Sequence, residues 1–201
     1  MKKVLIAFLF LAALQNQVFA GDDLKPFIPK GYMLADTVTA DLNVDGQPDV
    51  LLVLAIDDDL DSFQLSQIFP RGYNYAARPF VILARQGNGQ LKKVKSNNHI
   101  IPDWLDEHGQ LDPLDDLKAT SGSFTVTQVS LIGDKTCTSE IRFKYDATLH
   151  DWLLGSILQR CMTTNDAKAA DKFYNGDVIL NHTVKDFGKV LFSNYDCRKY
   201  Y

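Results

Sequence analysis

Glutamate is almost missing from this chain. Of its 25 acidic residues only Glu107 and Glu140 are glutamate, and the rest are aspartate. Glutamate suits helix interiors, whereas the short aspartate side chain competes for backbone N–H groups and favours turns, caps and oxygen-donor metal loops. The imbalance argues against a helical bundle and for strands joined by acidic loops. Cysteine is scarce too, at Cys137, Cys161 and Cys197, which excludes a disulfide-dense mini-scaffold. The four histidines, His99, His108, His150 and His182, share no metal-ligand spacing, so zinc is not expected. Basic charge is in deficit: 21 Lys and Arg leave a formal charge of −4. Nucleic acid and anionic membranes are therefore poor partners. Past the first 20 residues no apolar run approaches the ~20 residues that a membrane-spanning helix needs. There is no internal repeat, no low-complexity tract and no linker rich in Pro, Gly or Ser, so residues 21–201 read as one β-rich domain.

What the first 20 residues hold is the pattern of a secretory signal. Lys2 and Lys3 give a positive start, residues 4–14 an uncharged apolar run, and Val18-Phe19-Ala20 a cleavage site before Gly21. The expectation is a signal peptide at 1–20 and a periplasmic or secreted protein. No cysteine stands near the cut to carry a lipid. Loss of Lys2 and Lys3 takes the formal charge from −4 down by two, to −6.

Residues 50–56, Val-Leu-Leu-Val-Leu-Ala-Ile, form a short apolar run bounded by acids and predict a buried strand. Residues 79–85 predict a second strand. Gln86-Gly87-Asn88-Gly89 predicts a turn that returns the chain through 90–95 as a hairpin. Residues 123–131 and 137–145 alternate in the strand period, and 152–158 return after a turn at 146–151. Residues 177–184 and 189–192 supply the last strands. A loop or a short helical turn is expected at 57–75, a long loop with room for a short helix around Trp104 at 99–118, and a short helix at 163–172. The fold class is mainly β: antiparallel hairpins in a single compact domain, partly propeller-like or a sandwich, with one or two short helices.

One pairing follows from arithmetic. Antiparallel partners across a turn sum to a constant; Tyr145 with Trp152 gives 297, and Cys137 with Cys161 gives 298. The two cysteines thus fall one residue from direct opposition, within disulfide reach. Cys137–Cys161 is the expected bridge, and Cys161–Cys197 is the alternative. An exported protein meets the oxidising conditions that either bridge needs.

The segment with the most chemistry is Asp41-Leu42-Asn43-Val44-Asp45-Gly46-Gln47-Pro48-Asp49. Side-chain oxygens stand at its positions 1, 3, 5 and 9, and Gly46 stands at position 6, where a calcium loop turns sharply. Asp41, Asn43, Asp45 and Asp49, with the Gln47 carbonyl, offer the all-oxygen shell that Ca²⁺ prefers. It is not an EF-hand: position 12 is Leu52 rather than a bidentate glutamate, and its flanks read as strand.

The loop resembles the FG-GAP and VCBS-type repeats, in which an Asp-x-Asn-x-Asp-Gly-x-x-Asp loop leads into an apolar strand. The resemblance covers residues 37–55 and implies a calcium-loop hairpin at 37–56. With one copy only, a closed propeller is excluded. The runs at 27–32 and 78–83 resemble small exported bacterial proteins that carry a single such unit, and this implies fold and calcium but no activity.

Other segments carry weaker signals. Asp57, Asp58, Asp59 and Asp61 could present an acidic surface to another protein. Asp103, Asp106, Glu107 and His108 form a patch with acid–base potential. Ser121-Gly122-Ser123 lacks the strand–elbow–helix context of a hydrolase nucleophile. The first expectation is therefore a calcium-stabilised exported domain that binds another protein, as an inhibitor or immunity protein does. The alternatives are a metal- or carboxylate-dependent hydrolase and a structural envelope protein.

Overall fold

The computed structural model describes residues 24–57, 59–68, 78–101, 113–132, 135–163 and 177–200. Its strands form two antiparallel sheets. The first runs β1 (Tyr32–Ala40), β2 (Asp49–Ile56), β3 (Phe80–Arg85) and β4 (Leu91–Asn97) in that spatial order. The second runs β5 (Leu114–Thr120), β6 (Ser123–Ile132), β7 (Lys135–Asp146), β8 (Asp151–Thr163) and β9 (Asp177–Thr183), again in order. Two short helices interrupt them, α1 (Ser62–Ile68) and α2 (Val184–Phe187). The mainly β reading holds, and of the two arrangements considered the sandwich is the one formed. None of the described helices is long and apolar enough to cross a membrane.

Sheet 1 explains the unbroken apolar run in β2. Leu51, Val53, Phe80 and Ile82 face sheet 2, where they meet Phe124, Val126, Ile141, Phe143, Trp152 and Leu154. Val50, Leu52, Leu54, Val81 and Leu83 face the other way, and Leu24, Phe27, Ile28 and Tyr32 cover them. A sheet buried on both faces needs apolar residues at every position rather than every second one. The segment at 24–28 is thus a lid over the outer face, and it makes a 3₁₀ turn at Lys25–Phe27.

Every edge strand is interrupted. The register skips one residue at Ala35 in β1, Val94 in β4, Asp115 in β5 and Ile179 in β9. All four skipped residues are exposed. A bulge of this kind breaks the row of unpaired N–H and C=O groups that would otherwise template another strand. In β1 it also switches faces: Leu34 packs on the outer cluster, whereas Val38 and Ala40 pack on the inner one.

A fifth bulge, at Gly155 in β8, settles the cysteine arithmetic. Phe143 pairs with Leu154 and Arg142 with Ser156, so the constant rises from 297 to 298 at that point. Cys137 and Cys161 then stand directly opposite, with Cα atoms 4.1 Å apart, and are bridged. Cys197 is buried in the inner core and takes no part in a disulfide, and the Cys161–Cys197 alternative is not formed.

Two expectations change. Residues 114–118, read as part of a loop, belong to strand β5. Residues 189–192 give a single bridge, Leu191 to Leu153, followed by a 3₁₀ turn at Phe192–Asn194. Of the two readings of 57–75, the short helical turn is present as α1. The signal at 1–20, the 103–108 patch and all but the first residue of the helix expected at 163–172 lie outside the described residues.

Candidate functional site

The 41–49 loop joins β1 to β2 at one end of the sandwich. Its shape comes from its own polar side chains. Asp41 accepts the Asp45 N–H at Oδ1 (3.0 Å) and the Gly46 N–H at Oδ2 (3.1 Å). Asn43 Oδ1 accepts the Asp45 N–H at 3.0 Å, and its amide donates to Asp45 Oδ2 at 2.9 Å. Asp45 Oδ1 accepts the Gln47 N–H at 2.8 Å. Short acidic and amide side chains close such turns because they reach backbone donors two to five residues on. Gly46 takes φ 85°, as position 6 requires. Val44 takes φ 60°, an unusual place for a β-branched residue, and it is 62% exposed.

Asp49 has a different position. It is fully buried at the first residue of β2. Its Oδ2 accepts the N–H groups of Leu42 (3.0 Å) and Asn43 (3.2 Å), and its Oδ1 accepts the Arg85 N–H from the end of β3 (2.9 Å). One carboxylate therefore ties the start of the loop to its end and to the neighbouring strand. Burial pushes the Asp49 carboxyl above its usual range; the Arg85 N–H opposes this, and the charge of Asp45 adds to it. Arg85 fastens the same corner, donating from Nε to the Pro48 carbonyl (3.0 Å) and from Nη1 to the Gly89 carbonyl (2.8 Å).

The donor chemistry fits a hard cation. Each carboxylate oxygen has two acceptor sites. The bonds just given occupy one on each oxygen of Asp41 and Asp45, one on Asn43 Oδ1, and one on Asp49 Oδ1, while Asp49 Oδ2 is filled. Asp41, Asn43, Asp45 and Asp49 Oδ1 thus keep acceptor capacity in one turn. Counted by His, Cys, Asp and Glu side chains alone, no group of three or more among the described residues is arranged to hold a metal. Any such site here needs Asn43 and the Gln47 carbonyl as well.

The acidic run after β2 has local duties. Asp57 Oδ1 accepts the Asp59 N–H at 3.2 Å. Asp61 caps α1: its Oδ1 accepts the Gln64 N–H (2.7 Å), and Gln64 Oε1 accepts the Asp61 N–H (3.0 Å). That reciprocal pair is a capping box. Asp59 and Asp61 are exposed, and Phe63 on α1 is 71% exposed beside them. Asp58 lies outside the described residues.

Comparison with family models, with curated proteins and with solved structures finds no match. Two contributors to the loop were not legible as such. Gly122 and Trp152, both on sheet 2, hold main-chain carbonyls of Asp41 and Leu42. The Ser121-Gly122 dipeptide is a turn signal between two strands and could have placed Gly122 at a tight hairpin, though not against the loop.

Proposed function

We propose that this chain is an exported, calcium-stabilised β-sandwich that binds another protein, in the manner of an inhibitor or immunity protein. The observation that carries the cation half is the 41–49 loop, a turn already folded by Asp41, Asn43 and Asp45 whose oxygens retain acceptor capacity. A bound Ca²⁺ would neutralise carboxylates that otherwise repel one another, and Asp41, Asn43, Asp45, Gln47 and Asp49 would hold it. The Cys137–Cys161 bridge supports a periplasmic or secreted setting. For the partner half, the surface at Asp57, Asp59, Asp61 and Phe63 combines the half-buried Asp57 and the exposed carboxylates of Asp59 and Asp61 with a large exposed aromatic ring. Aromatic anchors ringed by polar groups are usual at protein interfaces.

Thermal unfolding in calcium and in chelator tests the cation half. At 100 times its dissociation constant a ligand stabilises by about 2.7 kcal/mol, which raises the midpoint by roughly 5–10 °C in a domain of this size. Asp45→Ala should remove the calcium-dependent part of the shift. Absence of any shift in the wild type would overturn it. Capture of partners from a periplasmic extract, with Asp59→Lys/Asp61→Lys and Phe63→Ala as variants, tests the other half. Unchanged capture by both variants would move the partner surface elsewhere.

A further inference from the structure

The 41–49 loop belongs to sheet 1 in sequence but is held from sheet 2. Gly122, in the β5–β6 turn, donates its N–H to the Asp41 carbonyl at 2.8 Å. Trp152, at the start of β8, donates its indole Nε1–H to the Leu42 carbonyl at 2.9 Å. The Leu42 side chain is fully buried in the inner core between the sheets. The Gly122 carbonyl in turn accepts the Tyr145 N–H at 2.8 Å, which connects the turn to the end of β7. The approach at Gly122 is close. A Cβ built there would lie 2.9 Å from Val44 Cγ2, and Gly122 has φ +70°. Glycine is required on both counts.

These two anchors fall on the two consecutive peptide units that lie between Asp41 and Asn43. With the carbonyls of 41 and 42 fixed, the directions in which the Asp41 and Asn43 side chains leave the main chain are fixed too. We infer that Gly122 and Trp152 are positioning residues for the cation loop: from the opposite sheet they set its donors, and cation occupancy in return clamps sheet 1 to sheet 2. The inference rests on the calcium reading above. A loop ordered in advance loses less conformational freedom when the ion binds. Linkage makes the effect reciprocal: whatever factor the anchors contribute to cation affinity, the cation contributes to the anchors.

The experiment uses the full chain, produced with its own leader, and Ca²⁺ itself as the probe. Calorimetry gives the calcium dissociation constant; denaturant unfolding is run in calcium and in chelator. Trp152→Phe keeps an aromatic ring in the core and deletes the N–H donor. It should weaken calcium binding about fivefold, the worth of one hydrogen bond of about 1 kcal/mol. Its loss of stability should be greater in calcium than in chelator by the same factor. Gly122→Ala should weaken binding more than tenfold. Ile157→Val, a core change further along β8, should lower stability equally in both conditions and leave calcium binding unchanged. If Trp152→Phe and Gly122→Ala behave like Ile157→Val, both residues are structural only; the positioning role is overturned and the calcium reading stands. If the wild type takes up no calcium, both readings fall, and the wild-type titration alone distinguishes that case.

Discussion

Asp49 shows how one residue type can serve two purposes in a single loop. Its neighbours Asp41 and Asp45 shape a solvent-facing turn, whereas Asp49 is buried and holds three main-chain donors, two from the start of the loop and one from β3. Asn has one acceptor oxygen where Asp has two, and its NH₂ would face a backbone N–H. Asp49→Asn should therefore destabilise the chain by about 2 kcal/mol through an unsatisfied buried donor. The denaturant midpoint, measured in chelator so that no cation contributes, checks this. The same change at Asp45 should cost far less in chelator, because water can replace its partners. An Asp49→Asn variant as stable as wild type would remove the clamp from the account. In sequence the turn itself was legible, with its polar side chains and Gly46, because spacing and glycine are local properties. The division of labour was not, because whether an aspartate is buried depends on β3, 36 residues away.

Among the elements, β2 and β5 mark the limits of pattern reading. β2 stood out because both of its faces are covered, so every position is apolar. β5 did not, because its bulge at Asp115 places Asp115 and Asp116 side by side and breaks the alternation of a half-buried strand. The cysteine register fell between these cases. The hairpin was readable to within one residue, and the missing residue was the bulge at Gly155. Deleting Gly155 should therefore remove the bulge and let Ser156 follow Leu154 without interruption, with Arg142 still opposite Ser156 and Cys137 still opposite Cys161. The bridge should form as before, and the unfolded protein should show one titratable thiol. A count of three in that variant would mean that the bulge itself is needed to bring the two cysteines together. Substitution is milder than deletion here: a Cβ at 155 would meet the Arg142 carbonyl at 3.5 Å, an ordinary contact. Gly155→Ala should leave a single thiol.

The whole molecule is held together across its two sheets by few polar links and one shared core. At the far rim Lys95, on β4, reaches across to the buried Asp151 on β8 at 2.6 Å, and Ser193 joins the same carboxylate. Asn97 donates to the carbonyls of Phe192 and Tyr195, which draws the C-terminal segment over the open side of the core. Phe192, Tyr195 and Cys197 are buried there. The outer face of sheet 1 depends on the lid at 24–28 instead. Removing residues 21–28 should lower stability by roughly 2–3 kcal/mol, from the partly buried Leu24, Phe27 and Ile28. It should also bring in a dye that binds exposed apolar surface, and if neither change is seen the lid is dispensable. That lid imposes an order of events on the nascent chain. It is made first, yet β3, which supplies Val81 and Leu83 to the surface it covers, arrives about 50 residues later, a delay of several seconds at ordinary rates of synthesis. During that interval β2 alone offers Phe27 and Ile28 part of their surface, which leaves them as early apolar side chains that a chaperone would meet.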